Sequence, residues 1–306
     1  MNKTKSIAYN IYNILDKYRK NPENIKYDGS IIIQKIEKIV SQRLSLKIVL
    51  PAFHGKSNNR DFVISHLPDY GDYLCVNTLS ELYKELTVLY PNIEILLLHE
   101  GHFHADVCLF GDDRDVSVYI KQFRKLISPY TFIKSYCINE LINTGISYDD
   151  KRKYFLEKYC PTIQEIETLI QNTNRIKSLY LAYKKLYYEK TVDDGKNTLS
   201  CKDLRAYSKN RSILQLRKYV GFGKLLNETF ANDIFIKLSW VYKDNSVNDQ
   251  ISINVLGGNT KLGTPGFFSI MKHANGAIDF ISRKQALEKG LSLNMFNRLP
   301  YYATNN

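Results

Sequence analysis

Leu46-Lys47-Ile48-Val49-Leu50-Pro51-Ala52-Phe53 and, further along, Ile93-Glu94-Ile95-Leu96-Leu97-Leu98 are the stretches that decide the fold. Both are short and apolar, and such runs read as strands buried on both faces. Between them Cys75, Leu79, Leu82, Leu86 and Leu89 recur at helical spacing, and Pro91-Asn92 ends the pattern. Strand, helix, strand makes a βαβ unit, so the sheet is expected to be parallel here.

The same rhythm extends in both directions. Ile7, Ile11, Ile14 and Leu15 share one helical face upstream, and Ile32, Ile36 and Ile39 share a second. Downstream, Val116, Tyr119, Ile120, Phe123 and Ile127 line another helix, and residues 131–138 are expected to form a third strand. Residues 147–189 turn helical and basic, opening a long helix with a capping box at Thr162 and Glu165. Residues 192–200 are polar and loop-like, and residues 204–228 are helical again. Strands are then expected at 234–242, 251–256, 267–272 and 277–281, with Asn275-Gly276 as a hairpin turn. These late strands either rejoin the core sheet or form a small sheet of their own. The expected fold class is α/β. Residues 1–145 form the first part of the core, 146–230 a mainly helical inserted segment, and 231–306 late strands and a hairpin rejoining the core.

Composition limits the function classes. The 306 residues are 44% hydrophobic and 24% charged, which excludes a disordered chain, a collagen and a coiled coil. Lys and Arg number 43 against 31 Asp and Glu, a net charge of +12, so an anionic partner is expected: a phosphorylated small molecule, nucleic acid or a membrane face. The cysteines, Cys75, Cys108, Cys137, Cys160 and Cys201, form no CxxC pair, which favours reduced thiols in a cytoplasm over a zinc ribbon or disulfide scaffold. The N-terminal stretch has no continuous apolar run, so no signal peptide is expected. No run of about 18 apolar residues suggests a membrane span.

Three loops carry polar chemistry. The first, Pro51-Ala52-Phe53-His54-Gly55-Lys56-Ser57-Asn58-Asn59-Arg60, leaves the carboxyl end of the first core strand, where open α/β sheets bind ligands. Lys56 and Arg60 suit phosphate, with Ser57 as a hydrogen-bond donor. Gly55-Lys56-Ser57 is not a P-loop, because Leu50 stands where the pattern needs its first glycine. The second loop, Leu67-Pro68-Asp69-Tyr70-Gly71-Asp72, reads as a helix cap before it reads as an active site. The third, His99-Glu100-Gly101-His102-Phe103-His104-Ala105-Asp106, offers metal-ligand types at 99, 102, 104 and 106. Extended backbone there would put His102 and His104 on one face. Hydrogen bonding to substrate is preferred to metal binding, because no further His lies at ligand spacing. In residues 175–190, Ile176, Leu179, Tyr180, Tyr183 and Leu186 form a core stripe, so the lysines there read as a solvated face and not as a nucleic-acid platform.

Taken in order, Pro51-Ala52-Phe53 with Lys56-Ser57, Leu67-Pro68-Asp69 with Gly71-Asp72, and Glu100-Gly101 with Asp106, Gly111-Asp112 and Tyr119 resemble the isonitrile (isocyanide) synthase family, of the pyoverdine/paerucumarin-cluster and dityrosine biosynthesis type. The resemblance covers roughly residues 46–127, and residues 217–226 are similar to a further family segment. It implies a Rossmann-like core with an added helical domain. It also implies a reaction joining the α-amine of L-tyrosine or L-tryptophan to carbon 2 of ribulose 5-phosphate, the donor of the isonitrile carbon. Lys56, Glu100, His102, His104 and Asp106 would be catalytic. Lys56, Ser57 and Arg60 would bind the phosphate, and His54, Asn59, Asp69 and His99 would bind the rest of the substrates. No metal or other cofactor is implied, and neither nucleic acid nor membrane is an expected partner. A separately encoded iron(II)/2-oxoglutarate oxygenase would use the product. The family's late histidines are replaced here by Val241 and Phe267, so acid–base work is expected to have moved to residues 99–106. The same departure leaves open a related condensing enzyme giving an N-formyl amino acid; a basic nucleic-acid-binding module is a distant third reading.

Overall fold

The computed structural model describes residues 3–19, 28–107, 111–145, 147–193, 199–239, 250–254, 256 and 266–304. Cys108, Val241, Thr264 and Pro265, and parts of the strands expected at 234–242 and 251–256, lie outside the described residues. Two compact units are present. Met1–Gly101, Phe110–Cys137 and Asn232–Asn306 make the first, and His102–Leu109 and Ile138–Ala231 make the second.

In the first unit, α1 (Lys3–Lys17) and α2 (Ser30–Ser41) precede β1 (Leu46–Pro51), α3 (Tyr70–Leu89) and β2 (Ile93–His99). The short α4 (Gly101–His104) follows, then α5 (Asp113–Ile127) and β3 (Ile133–Cys137). The expected parallel sheet is present. β1 pairs in parallel with β2, Leu46 opposite Ile93 and Pro51 opposite Leu98, and β2 pairs in parallel with β3. Ile48, Val49, Leu50, Ile95, Leu97 and Leu98 are fully buried, as a sheet covered on both faces requires. All three strands therefore release their following loops at one edge.

The late strands divide between two sheets. β4 (Phe235–Ser239) and β5 (Gln250–Ser252) extend the parallel sheet, giving the order β3-β2-β1-β4-β5. The hairpin does not rejoin that sheet. β6 (Ser269–Lys272) and β7 (Ile278–Ile281), joined through Asn275-Gly276 with Gly276 at φ +83°, belong to a second sheet ordered β7-β6-β9-β8. Its remaining strands, β8 (Ser292–Phe296) and β9 (Leu299–Ala303), follow α11 (Arg283–Glu288) and were not evident from sequence. Its mixed pairing and the exposed residues of β7 and β8 suit a sheet with one solvated side, unlike the doubly covered core.

The second unit is helical: α6 (Ile138–Leu141), α7 (Tyr148–Lys158), α8 (Ile163–Asn172), α9 (Asn174–Asp193) and α10 (Cys201–Thr229). The predicted capping box opens α8: the Thr162 hydroxyl accepts from Glu165 N–H, and Glu165 accepts from Thr162 N–H. Ile166, Ile176, Ile213 and Leu216 form its core, with Leu179, Tyr180 and Tyr183 packed against it. The aromatic stripe of α9 is thus core packing. No helix among the described residues is long and apolar enough to cross a membrane.

Candidate active site

The loop after β1 begins with a conformational cost. Phe53 has φ +56°, a left-handed backbone that bulky side chains rarely adopt, and Gly55 follows at φ +143°. This path turns Lys56 inward. Its Nζ lies 2.9 Å from Asp69 Oδ2 and 2.7 Å from Asp72 Oδ2, with all three side chains at most 1% exposed. Asp69 is the expected cap of α3: its Oδ1 accepts from Gly71 N–H at 2.8 Å, and its own N–H donates to Asp72 Oδ2 at 2.8 Å. The two acids that cap the helix are therefore the same two that hold the lysine. Tyr119, from α5, donates its hydroxyl to Asp72 Oδ1 at 2.7 Å.

Burial works to lower the pKa of the Lys56 ammonium, but Asp69 and Asp72 outweigh it and hold it raised. Burial pushes the Asp69 carboxyl up; Lys56 opposes this, Asp72 adds to it, and the carboxyl settles at about 7. Burial, then Asp72, keeps the Tyr119 phenol well above its ordinary value, so it stays a proton donor. Two carboxylates thus enclose one buried ammonium, and Lys56 is not exposed to solvent.

The other residues of this loop have different surroundings. Ser57 is fully buried. Its N–H donates to Gly266 O at 2.7 Å and its Oγ accepts from Asn59 N–H at 3.2 Å. Asn59 Oδ1 accepts from Asp61 N–H, a local turn. Arg60 is exposed, with Nη2 3.0 Å from His66 Nδ1. Of the cations named for phosphate, only Arg60 faces solvent.

After β2, His99 is fully buried. Its Nδ1 lies 2.8 Å from Phe53 O and its Nε2 2.7 Å from Ser135 Oγ. Glu100 N–H donates to His54 Nδ1 at 3.2 Å. A Cβ on Gly101 would meet His54 O at 1.9 Å and Val116 at 2.6 Å, so only glycine fits this approach of two backbones. Residues 101–104 then form α4 and not extended chain, because β2 ends at His99. His102 and His104 consequently point about 200° apart around a helix and do not share a strand face.

In the second unit, His102 stacks on Tyr148 with ring centroids 4.1 Å apart, and His104 is 3% exposed. Cations grip this segment by its carbonyl oxygens. Arg152 Nη1 donates to His102 O at 2.9 Å, Lys218 Nζ to Phe103 O at 2.7 Å, and Arg211 to Asp106 O. Lys218, fully buried on α10, also pairs with the Asp106 carboxylate. Asp106 is thus an ion-pair partner, and His102 is packed against a ring. Among the described residues no three His, Cys, Asp or Glu side chains are arranged to hold a metal ion.

Lys218, Arg152, Arg124 and Ser135 were not singled out from sequence. Lys218 did carry a signal: it stands four residues before Phe222 and seven before Leu225, in register with the buried face of α10.

The family model for the pyoverdine/dityrosine biosynthesis proteins matches residues 36–294. This chain belongs to that family. The pyoverdine/dityrosine biosynthesis match runs from α2 into β8 and takes in both loops at the carboxyl ends of β1 and β2. Among relatives in the family, an L-tyrosine isonitrile synthase of Xenorhabdus nematophila is 25% identical over 245 residues, spanning 74% of this chain and 71% of that protein. The L-tryptophan isonitrile synthase AmbI1 of Fischerella ambigua is 21% identical over 276 residues, spanning 88% and 83%. The crystal structure of PvcA from Pseudomonas aeruginosa superposes with a TM-score of 0.86 at 21% identity, covering 98% of this chain and all of that one, which establishes the shared fold.

Proposed function

We propose that this chain is an isonitrile synthase that acts on the α-amine of an aromatic amino acid, tyrosine or tryptophan, with ribulose 5-phosphate as the carbon donor. The observation that carries the proposal is the Lys56–Asp69–Asp72 cluster at the carboxyl end of β1, in a chain whose family includes synthases for both amino acids.

Condensing an amine with a ketone needs the amine neutral at attack and an acid as water leaves. Asp69, with its carboxyl near neutrality, accepts the proton from the substrate ammonium and returns it to the departing oxygen. Lys56 is kept as an ammonium and stabilises the developing oxyanion, which disfavours its acting as a Schiff-base nucleophile. Tyr119 donates its hydroxyl to Asp72 beside it and so holds that carboxyl in place. Arg60, exposed on the same loop, supplies the cation for the sugar phosphate. The scheme calls on no metal or nucleotide, operates in a cytoplasm, and yields a product suited to an iron(II)/2-oxoglutarate oxygenase encoded elsewhere.

The test is mass spectrometry of the product formed from tyrosine or tryptophan and ribulose 5-phosphate. An isonitrile carrying carbon 2 of the sugar is expected. An N-formyl amino acid would instead identify the related condensation. No turnover, together with nucleic-acid binding that falls steeply with salt, would reject both enzyme readings.

A further inference from the structure

The left-handed residue Phe53 lies three positions before Lys56, and it needs a device to hold it. A non-glycine residue at positive φ persists only where its surroundings over-determine it. Here the Phe53 carbonyl faces His99 Nδ1 at 2.8 Å. A carbonyl oxygen only accepts, so Nδ1 carries the hydrogen, and in the neutral ring Nε2 is the lone-pair nitrogen. Nε2 then accepts the Ser135 hydroxyl hydrogen at 2.7 Å. Arg124 completes the order, donating from Nε to Ser135 Oγ at 3.1 Å and from Nη2 to Ser135 O at 3.0 Å. The hydrogen bonds run in one direction, from Arg124 to Ser135 to His99 to Phe53.

Ring packing fixes the same geometry. Phe53 lies against Phe123 with centroids 4.1 Å apart, and His99 meets Phe123 edge-on at 5.4 Å. A return link comes from Glu100 N–H to His54 Nδ1. Adjacent residues of the two loops thus hold each other in both directions.

We infer that His99 is a positioning residue: with Arg124 and Ser135 behind it, it clasps the Phe53 carbonyl and so sets the path that delivers Lys56 to Asp69 and Asp72. The role inferred is positioning and not proton transfer to substrate, since the groups its two ring nitrogens face are Phe53 O and Ser135 Oγ. The inference rests on the loop's role in the proposed activity only for its kinetic readout; the clasp is tested independently of activity.

His99→Asn keeps a donor near the Nδ1 position, and His99→Phe keeps the ring and loses the donor. Amide hydrogen exchange of residues 52–57 is expected to accelerate about tenfold in His99→Phe, the scale of one lost buried hydrogen bond, and to stay near wild type in His99→Asn. Turnover should follow the same order, with His99→Asn retaining the wild-type pH profile. Unchanged exchange in His99→Phe would overturn the clasp. A His99→Asn enzyme as inactive as His99→Phe, with one limb of the pH profile gone, would make His99 an acid–base residue instead. If His99→Phe does not fold, Ser135→Ala removes the hydroxyl that holds the other side of the His99 ring at Nε2. Faster exchange at residues 52–57 then supports the clasp, and unchanged exchange overturns it. If the wild type makes no isonitrile, the proposed function fails while the exchange arm still decides the clasp.

Discussion

Lys56 and Asp72 form a 2.7 Å ion pair with neither side chain more than 1% exposed. Asp69 shares the same ammonium at 2.9 Å. Removing one member of such a group leaves uncompensated charge in the interior. Lys56→Met is therefore expected to destabilise the protein by about 3–5 kcal/mol, read from urea denaturation. A loss below about 1 kcal/mol would mean that the carboxylates reach water when the lysine is gone.

The Asp69 carboxyl gives stability a pH dependence of definite sign. Its pKa in the folded protein, about 7, lies above the ordinary value of 3.8, because burial outweighs the pull of Lys56. The folded state holds this proton more tightly than the unfolded state does. The contribution is complete below about pH 4 and is lost as pH rises to about 7. The stability difference between wild type and Asp69→Asn should therefore shift against the wild type across that window. Denaturation at a series of pH values checks it, and a flat difference would reject the shift. The same substitution should remove a limb near neutrality from the pH profile of kcat.

Arg60 and Lys56 should separate kinetically. Arg60 is exposed and Lys56 is enclosed by carboxylates. Arg60→Ala is expected to raise the half-saturating concentration of ribulose 5-phosphate about tenfold, with little change for the amino acid. Lys56→Met should instead lower kcat. Equal losses toward both substrates in Arg60→Ala would remove its phosphate assignment.

Gly101→Ala should be poorly tolerated even though it adds a single methyl group. The new Cβ would lie 1.9 Å from the His54 carbonyl oxygen, and backbone cannot swing aside as a side chain can. A loss of about 2–3 kcal/mol is expected, with turnover falling alongside. Thermal unfolding and turnover of the variant are the measurements, and a wild-type Tm would show that the two loops are free to separate.

Much of the core was legible because its signals are local. Strands β1 and β2 announce themselves as apolar runs, α3 by its spacing and its Asp69 cap, and β6–β7 by Asn275-Gly276. Strands β8 and β9 were missed: Ser292-Leu293-Asn294-Met295 does alternate polar and apolar, but the run is short and its apolar side chains Leu293 and Met295 stay exposed instead of entering a core. Helix α4 was misread because it is a single short turn, and His-Phe-His fits either period.

The parallel βαβ arrangement, the caps and the two loops at one sheet edge can be read from the chain alone, since each depends on residues close together along it. What the polar residues do depends instead on contacts between parts of the chain far apart in sequence. Lys56 and Asp72 share one ammonium–carboxylate contact, His99 and Phe53 meet across neighbouring strands, and Lys218 reaches Asp106 from a distant helix. A lysine in sequence is equally an exposed cation or half of a buried pair. The physical difference is whether folding removes its water and supplies carboxylates in exchange, and that is set by residues far from it in the chain.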